Sequence, residues 1–208
     1  MTRPPRPTIL YSAIAALSWP VLHVAYRYRA DGTENLPVDS GYVLAAGHVS
    51  NFDPWAIGIA LWPRRFLRFM GKSELFWFPL GPIIGACGAF KVHRGQADYE
   101  AIATAVGLAR EGHVIAMFPE GTRRKKGLRK KWEAGAHTGA ARIALEAGVP
   151  LVPAGIKGTD GLRRLAPIRV RYGAPISLDD LGSLDEAEAA RLATDRLMES
   201  IHALEESL

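Results

Sequence analysis

Short apolar runs alternate with stretches of helical periodicity along most of the chain. Residues 42–46 and 114–118 are unbroken apolar runs, which is typical of strands buried on both faces of a sheet. Between them, residues 97–110 carry apolar side chains at helical spacing, and Gly112 follows. The same reasoning predicts strands at 66–70, 90–95, 150–156 and 168–172, a helical turn at 73–79, and helices at 139–147 and 184–208. Strands alternating with helices predict an α/β fold, a single-domain sandwich with a largely parallel or mixed sheet flanked by helices.

Three segments fit this pattern less well. Prolines inside residues 150–156 favour an edge strand or an irregular one. Residues 31–37 have the Gly, Asn and Pro content of a loop. Residues 80–88 combine glycines and a proline with apolar side chains, so they could line an acyl-chain channel or form a tightly packed core connection.

An apolar N-terminal segment, residues 8–26, has arginines on both sides. It lacks a convincing signal-peptidase site, and it is close to the minimum length for a bilayer of about 30 Å while carrying several polar residues. An interfacial or monotopic helix bent at Pro20 fits best, and a core helix packed on the domain is the alternative. We therefore expect residues 1–30 to be a membrane-associating segment and residues 31–208 to be the folded α/β domain.

Composition bounds the kind of protein and its partners. A length of 208 residues with 48% hydrophobic residues suits one globular domain. The single cysteine, Cys87, cannot form an internal disulfide. A formal net charge of +5 implies attraction to polyanions, which could be nucleic acid, phosphorylated small molecules or an anionic membrane surface.

The strongest chemical signal follows the first buried strand. His48 and Asp53 are five positions apart where the strand gives way to a predicted helix that starts at Asp53 and Pro54. An imidazole whose second nitrogen is held by a carboxylate is suited to general-base catalysis on a hydroxyl or a thiol. Alternatively, Asp53 is only a helix cap and His48 a structural histidine.

Other polar residues follow neighbouring strands. Arg94 ends the predicted strand at 90–95 and could clamp an anion, although a lone arginine there is more often solvated or ion-paired. Residues 118–123 run from a strand into a turn with a carboxylate, a glycine, a hydroxyl and a guanidinium. Ligands gather at the carboxyl ends of strands in open α/β folds, so we expect one site to collect these residues.

Four motifs in order resemble the glycerolipid acyltransferase family that includes the 1-acyl-sn-glycerol-3-phosphate acyltransferases. The first is His48-Val49-Ser50-Asn51-Phe52-Asp53, and the second is Phe90-Lys91-Val92-His93-Arg94-Gly95. The third is Phe118-Pro119-Glu120-Gly121-Thr122-Arg123, and the fourth is Val149-Pro150-Leu151-Val152-Pro153. Any one of them would be a weak signal, but four in order are a strong match.

The resemblance implies transfer of a fatty acyl group from acyl-CoA or acyl-ACP to the free hydroxyl of 1-acyl-glycerol-3-phosphate, which gives phosphatidic acid. In this family the histidine is the base and the aspartate orients it, without a covalent intermediate. Here those roles fall to His48 and Asp53. The residues that would hold the substrate phosphate are Arg94, Glu120, Gly121, Thr122 and Arg123. The resemblance implies no cofactor beyond the co-substrate and no metal.

Several alternatives remain at the level of sequence. Residues 132–135 read Trp-Glu-Ala-Gly where many relatives carry a lysine, so the acceptor could be another lysophospholipid or a glycolipid. A non-catalytic lipid-binding module would not require the His48 and Asp53 pair. Nucleic-acid binding is suggested only by the charge, and no aromatic-interleaved pattern supports it. We therefore expect the partners to be a membrane surface, the lysophospholipid and the acyl donor, with a peripheral or monotopic location at the cytoplasmic face of the cell membrane.

Overall fold

A computed structural model describes residues 5–92, 98–120 and 136–208. Within these ranges the helices are α1 Ile9–Val24, α2 Asp53–Ile59, α3 Leu80–Ala86, α4 Asp98–Arg110, α5 Gly139–Ala147 and α6 Glu186–Glu206. The strands are β1 Arg29–Asp31, β2 Tyr42–Ala46, β3 Leu67–Lys72, β4 Ala89–Val92, β5 Val114–Met117, β6 Leu151–Lys157 and β7 Arg169–Tyr172.

The described strands form one seven-stranded sheet in the order β1-β7-β6-β2-β5-β3-β4. Neighbouring strands are parallel except for β6 and β7, which are antiparallel. The sandwich with a largely parallel sheet predicted from the sequence is therefore confirmed. Because β2, β5 and β6 are parallel neighbours at the centre, the segments that follow them all lie at the carboxyl ends of the strands. We call this end of the sheet the carboxyl edge and the opposite end the amino edge.

Alternation along β2 explains the two layers of the core. Tyr42, Leu44 and Ala46 face a cluster that contains the buried side chains of α1 and α2, whereas Val43 and Ala45 face the buried side chains of α4, α5 and α6. All five residues are buried, as expected for a central strand covered on both sides. The sheet thus carries helices on both faces, and α2 lies on the same face as α1.

Of the two alternatives for residues 150–156, an edge strand or an irregular one, the edge strand is wrong. β6 lies inside the sheet between β7 and β2. The carbonyl of Pro153 accepts from the N–H of Gly173, so this residue turns both its carbonyl and its N toward β7, whose ladder starts one residue later at Ala154. The missing N–H therefore faces a place where no ladder bond is needed.

Smaller differences concern the ends of elements. Gly71 does not end the third strand, which continues to Lys72. Residues 29–31 form the short edge strand β1, which the sequence pattern did not predict. Residues 80–86 form helix α3, and its apolar Ile83 is half exposed rather than part of a sealed core.

Helix α1 packs on the domain through one stripe and exposes another. Tyr11, Ala15 and Leu22 belong to the core, whereas Leu17 and Val24 are largely exposed. The core-helix alternative is therefore correct for the first stripe. Across the described ranges, no helix is both long enough and apolar enough to cross a bilayer.

Candidate active site

The centre of the site is the segment that joins β2 to α2. Gly47 ends the buried strand, His48 follows it, and Asp53 is the first residue of α2 with Pro54 next to it. Proline is tolerated at this position because the first N–H groups of a helix have no partner within the helix. The connection is short enough to turn the Asp53 side chain back toward His48.

The carboxylate of Asp53 is the acceptor for this turn. Its Oδ2 lies 2.8 Å from His48 Nδ1 and accepts the N–H groups of Val49 and Ser50, each at 2.8 Å. Asp53 is therefore not a cap for the N–H groups of α2, because its bonds go to the residues before the helix. Its other oxygen, Oδ1, accepts the hydroxyl of Thr159 at 2.5 Å.

These contacts assign the proton on the imidazole. A carboxylate can only accept, so His48 Nδ1 carries the hydrogen and Nε2 keeps a lone pair. The side chain of Asp53 is 0% exposed, whereas that of His48 is 18% exposed. The pair thus consists of a buried carboxylate and an imidazole that is partly open to solvent.

The ring of Phe118, which follows a second strand, packs against the imidazole and restrains its orientation. Its ring stacks on that of His48 with centroids 4.3 Å apart and an interplanar angle of 25°. Phe118 directly follows β5, the parallel neighbour of β2. This stack brings the start of the third motif into contact with His48. The sequence placed this motif near His48 only because both follow predicted strands.

The far end of α2 is held by three tyrosine hydroxyls. Tyr28 and Tyr172 donate to the carbonyls of Ala56 and Ile57 at 2.7 Å, and Tyr11 donates to Gly58 at 3.4 Å. These carbonyls belong to the last turn of α2, where carbonyls lack the regular partner four residues on within the helix; that of Gly58 also accepts the N–H of Leu61 at 3.0 Å. Burial raises the pKa of all three tyrosines, so each hydroxyl keeps its proton and remains a donor.

The remaining predicted site residues fall at the same edge or outside the described ranges. Glu120 is partly buried and lies three residues after the end of β5. Arg94, Gly121, Thr122 and Arg123 lie outside the described residues. The N–H of His137 donates to the Pro119 carbonyl at 2.8 Å, so the chain returns to this place after the third motif.

Sequence reasoning missed Thr159 and the role of Phe118. Thr159 is 106 residues from Asp53 and belongs to none of the four motifs. One available signal was its position just after β6, at the edge where His48 lies. Within the part of the chain that the structure describes, no group of three or more His, Cys, Asp or Glu side chains could hold a metal ion.

Comparison with known proteins gives one consistent family. A family model described as "Acyltransferase" matches residues 27–157, a range that contains all four motifs. A 1-acyl-sn-glycerol-3-phosphate acyltransferase of Bacillus subtilis (strain 168) is 32% identical over 181 residues, which cover 84% of this chain and 86% of the relative. A protein of the same name from Streptococcus pneumoniae (strain ATCC BAA-255 / R6) is 28% identical over 204 residues, with 96% and 73% covered.

A solved structure shares the fold. The crystal structure of the 1-acyl-sn-glycerophosphate (LPA) acyltransferase PlsC from Thermotoga maritima matches with a TM-score of 0.64 and 23% sequence identity. The match covers 93% of this chain and 78% of the other. At this identity the likeness concerns the fold alone.

Proposed function

Because this chain belongs to the acyltransferase family, we propose that it transfers a fatty acyl group from an acyl thioester to the free hydroxyl of 1-acyl-glycerol-3-phosphate. The product is phosphatidic acid. The observation that carries the proposal is the His48–Asp53 pair, with Nδ1 bonded to a fully buried carboxylate and the ring partly open to solvent. The names of the two bacterial relatives support this acceptor.

The proposed reaction needs one base and no covalent intermediate. His48 Nε2 takes the proton of the acceptor hydroxyl while its oxygen attacks the thioester carbonyl. The C–O bond forms, the C–S bond of the tetrahedral adduct breaks, and the imidazolium returns the proton to the leaving thiolate. Asp53 stabilises the imidazolium between these steps, because its negative charge lies 2.8 Å from Nδ1.

The phosphate side of the acceptor is assigned to residues after β4 and β5. Arg94, Gly121, Thr122 and Arg123 are proposed to bind the phosphate, and Glu120 to order the arginines, because a carboxylate would repel phosphate directly. Only four bonds separate the acceptor hydroxyl from the phosphorus, so the phosphate must bind close to His48. The third motif meets this requirement best, because it follows β5, the immediate neighbour of β2.

We also propose that the protein works at a membrane surface, facing the cytoplasm. Leu17 and Val24 on α1 are largely exposed, and so are Trp77 and Phe78, which immediately precede α3. The Thr8 hydroxyl donates to the Ala86 carbonyl at 2.9 Å, so α1 and α3 are neighbours. Exposed apolar and aromatic side chains on adjacent helices are suited to the boundary between headgroups and acyl chains.

The decisive experiment is thiol release from palmitoyl-CoA and from palmitoyl-ACP, with and without lysophosphatidic acid. Wild type should release thiol only with the acceptor, and phosphatidic acid should appear in equal amount. His48→Ala should lower the rate by about 10² to 10⁴, the range for loss of a general base. The matched control is His113→Gln, a histidine change at the opposite edge of the sheet, which should keep the wild-type rate.

Two results would contradict the proposal. Equal rates for wild type and His48→Ala would remove His48 as the base. No phosphatidic acid with either donor, combined with turnover of another lysophospholipid or a glycolipid, would replace the acceptor while keeping the chemistry.

Membrane association is tested by flotation with vesicles that contain anionic phospholipid. Deleting α1 would remove Tyr11, Ala15 and Leu22 from the core, so the double variant Leu17→Glu, Val24→Glu is the better probe. It should float less than wild type. Val38→Glu, at an exposed position away from α1, is the control, and equal flotation of all three proteins would refute the assignment.

A further inference from the structure

The two oxygens of the Asp53 carboxylate accept different numbers of hydrogen bonds. Oδ2 accepts three hydrogen bonds, from His48 Nδ1 and from the N–H groups of Val49 and Ser50. Oδ1 accepts the Thr159 hydroxyl. The carboxylate could rotate about its Cβ–Cγ bond. On the oxygen that does not contact His48, the Thr159 hydroxyl opposes this rotation.

The short distance identifies the bond as charge-assisted. A separation of 2.5 Å lies at the lower end of the range of about 2.5–2.7 Å for a hydroxyl bonded to a carboxylate. Thr159 is 1% exposed, so water cannot replace Asp53 as the acceptor without opening the core. A buried hydroxyl without a partner is unfavourable, so Thr159 and Asp53 depend on each other.

The backbone before Thr159 is built for this position. β6 runs parallel to β2, and Gly158 turns the chain after β6 with φ of +90°. A Cβ on Gly158 would lie 2.0 Å from the carbonyl oxygen of Pro167, so only glycine permits this turn. Thr159 then starts a 3-10 helix, Thr159–Arg164, with its hydroxyl directed at Asp53.

We propose that Thr159 is a positioning residue for the acyl transfer, acting through Asp53 on the orientation of His48. The inference rests on the proposed function of the His48–Asp53 pair. With Oδ1 held, Oδ2 remains in line with Nδ1, the imidazole keeps its proton on Nδ1, and Nε2 presents its lone pair to the acceptor hydroxyl at the start of each cycle. Thr159 transfers no proton and contacts no substrate.

The test compares Thr159→Val, which keeps the shape and removes the donor, with Thr159→Ser, which keeps the donor. Thr159→Val should lower kcat about tenfold while KM for the acceptor and for the donor changes less than twofold, because misplacement of the base affects the chemical step. Thr159→Ser should restore most of kcat. In Thr159→Val the Asp53 carboxylate loses one donor and therefore stabilises the His48 imidazolium more strongly. The acidic limb of the pH–rate profile should then move to higher pH.

A second readout requires no turnover. Long-range ¹⁵N–¹H spectra of the imidazole show which ring nitrogen carries the proton, and His48→Ala identifies the signals of His48. Wild type should show the Nδ1–H form, and Thr159→Val should add signal from the Nε2–H form. Thermal unfolding of each variant shows whether the protein remains folded.

The outcomes separate the two proposals. If wild type is inactive with every donor and acceptor, the proposed function fails, and the ring spectrum alone decides the role of Thr159. Equal kcat and an unchanged ring spectrum in Thr159→Val would overturn the inference. So would a loss of activity that follows the loss of folded protein and that Thr159→Ser shares, because that pattern means a purely structural threonine.

Discussion

His48 and His113 are two partly buried histidines at opposite edges of one sheet, and only His48 has the contacts of the base that we propose. His48 follows the carboxyl end of β2, donates from Nδ1 to a buried carboxylate and leaves its ring partly exposed. His113 precedes β5, and its Nδ1 is buried with no hydrogen-bond partner among the described residues. Burial first, and then the positive charge of Arg68, lower its pKa below the ordinary value of 6.5.

The difference shows which contacts would suit a partly buried histidine to act as a base. Burial alone makes the charged imidazolium less stable, as at His113, and neighbouring cations add to this effect. A carboxylate bonded to one nitrogen reverses the balance, provided that the other nitrogen can reach a substrate. The amino edge of the sheet therefore holds a histidine whose Nδ1 has no partner among the described residues, and the carboxyl edge holds the pair that we propose to catalyse the reaction.

The largest predicted effect is at the carboxyl edge. Asp53→Asn places an amide N–H₂ among four donors, so at least one hydrogen bond is lost and the His48 proton is no longer fixed on Nδ1. We expect kcat to fall by about 10² to 10⁴, the contribution of general-base catalysis. The measurement is steady-state thiol release on protein shown to be folded by circular dichroism.

The control for that prediction is Asp185→Asn, the same chemical change at the exposed N-cap of α6. It should leave kcat unchanged. If Asp53→Asn retained kcat within fivefold of wild type, the contrast between the two edges would lose its basis.

An intermediate effect, on stability instead of rate, is predicted at the amino edge. Arg65 is buried and donates to the carbonyls of Val38 at 2.8 Å, Ser40 at 2.5 Å and Gly112 at 3.1 Å. Arg65→Met leaves these carbonyls without their donor, which should lower the free energy of unfolding by about 2–4 kcal/mol. Urea unfolding measures the loss, and kcat per folded molecule should stay within twofold of wild type.

Arg64→Met is the matched control, because Arg64 is the exposed neighbour of Arg65. It should change the unfolding midpoint little. A large loss of kcat in folded Arg65→Met would mean that the amino edge also serves the reaction.

The smallest predicted effect is a pH dependence at His113. Its pKa is lower in the folded protein than in the unfolded chain, so the unfolded chain binds more protons as pH falls below 6.5. His113 therefore lowers the stability of the folded protein in acid. This destabilisation is complete only below the folded-state pKa, and it is absent above 6.5. His113→Gln should flatten the decline of the urea midpoint between neutral and acidic pH, and an unchanged slope would contradict the assignment.

Much of the fold was predictable because its strands and helices are strongly periodic. β2 and α5 match the predicted residues 42–46 and 139–147, and each ends at a glycine signal. The position of β6 was not predictable from its prolines. Whether a missing N–H matters depends on where the ladder to the neighbouring strand begins, which is set by residues some 20 positions away.

The contact between His48 and Asp53 was predictable from the sequence, but the contacts that hold the pair in place were not. His48 and Asp53 are five residues apart, so a strand-to-helix pattern is enough to bring them together. Thr159 reaches Asp53 only because β6 lies beside β2, and that pairing is a tertiary fact with no local signal. The stack of Phe118 on His48 likewise depends on the pairing of β2 with β5.

The three tyrosines at the end of α2 become available at different times during synthesis of the chain. Tyr11 and Tyr28 precede the helix, but Tyr172 lies 115 residues after the carbonyl that it holds. At ribosomal speeds this delay is on the order of ten seconds. A nascent chain therefore carries His48 and Asp53 long before Tyr172, the last of the three residues whose hydroxyl groups hold α2, has been synthesised.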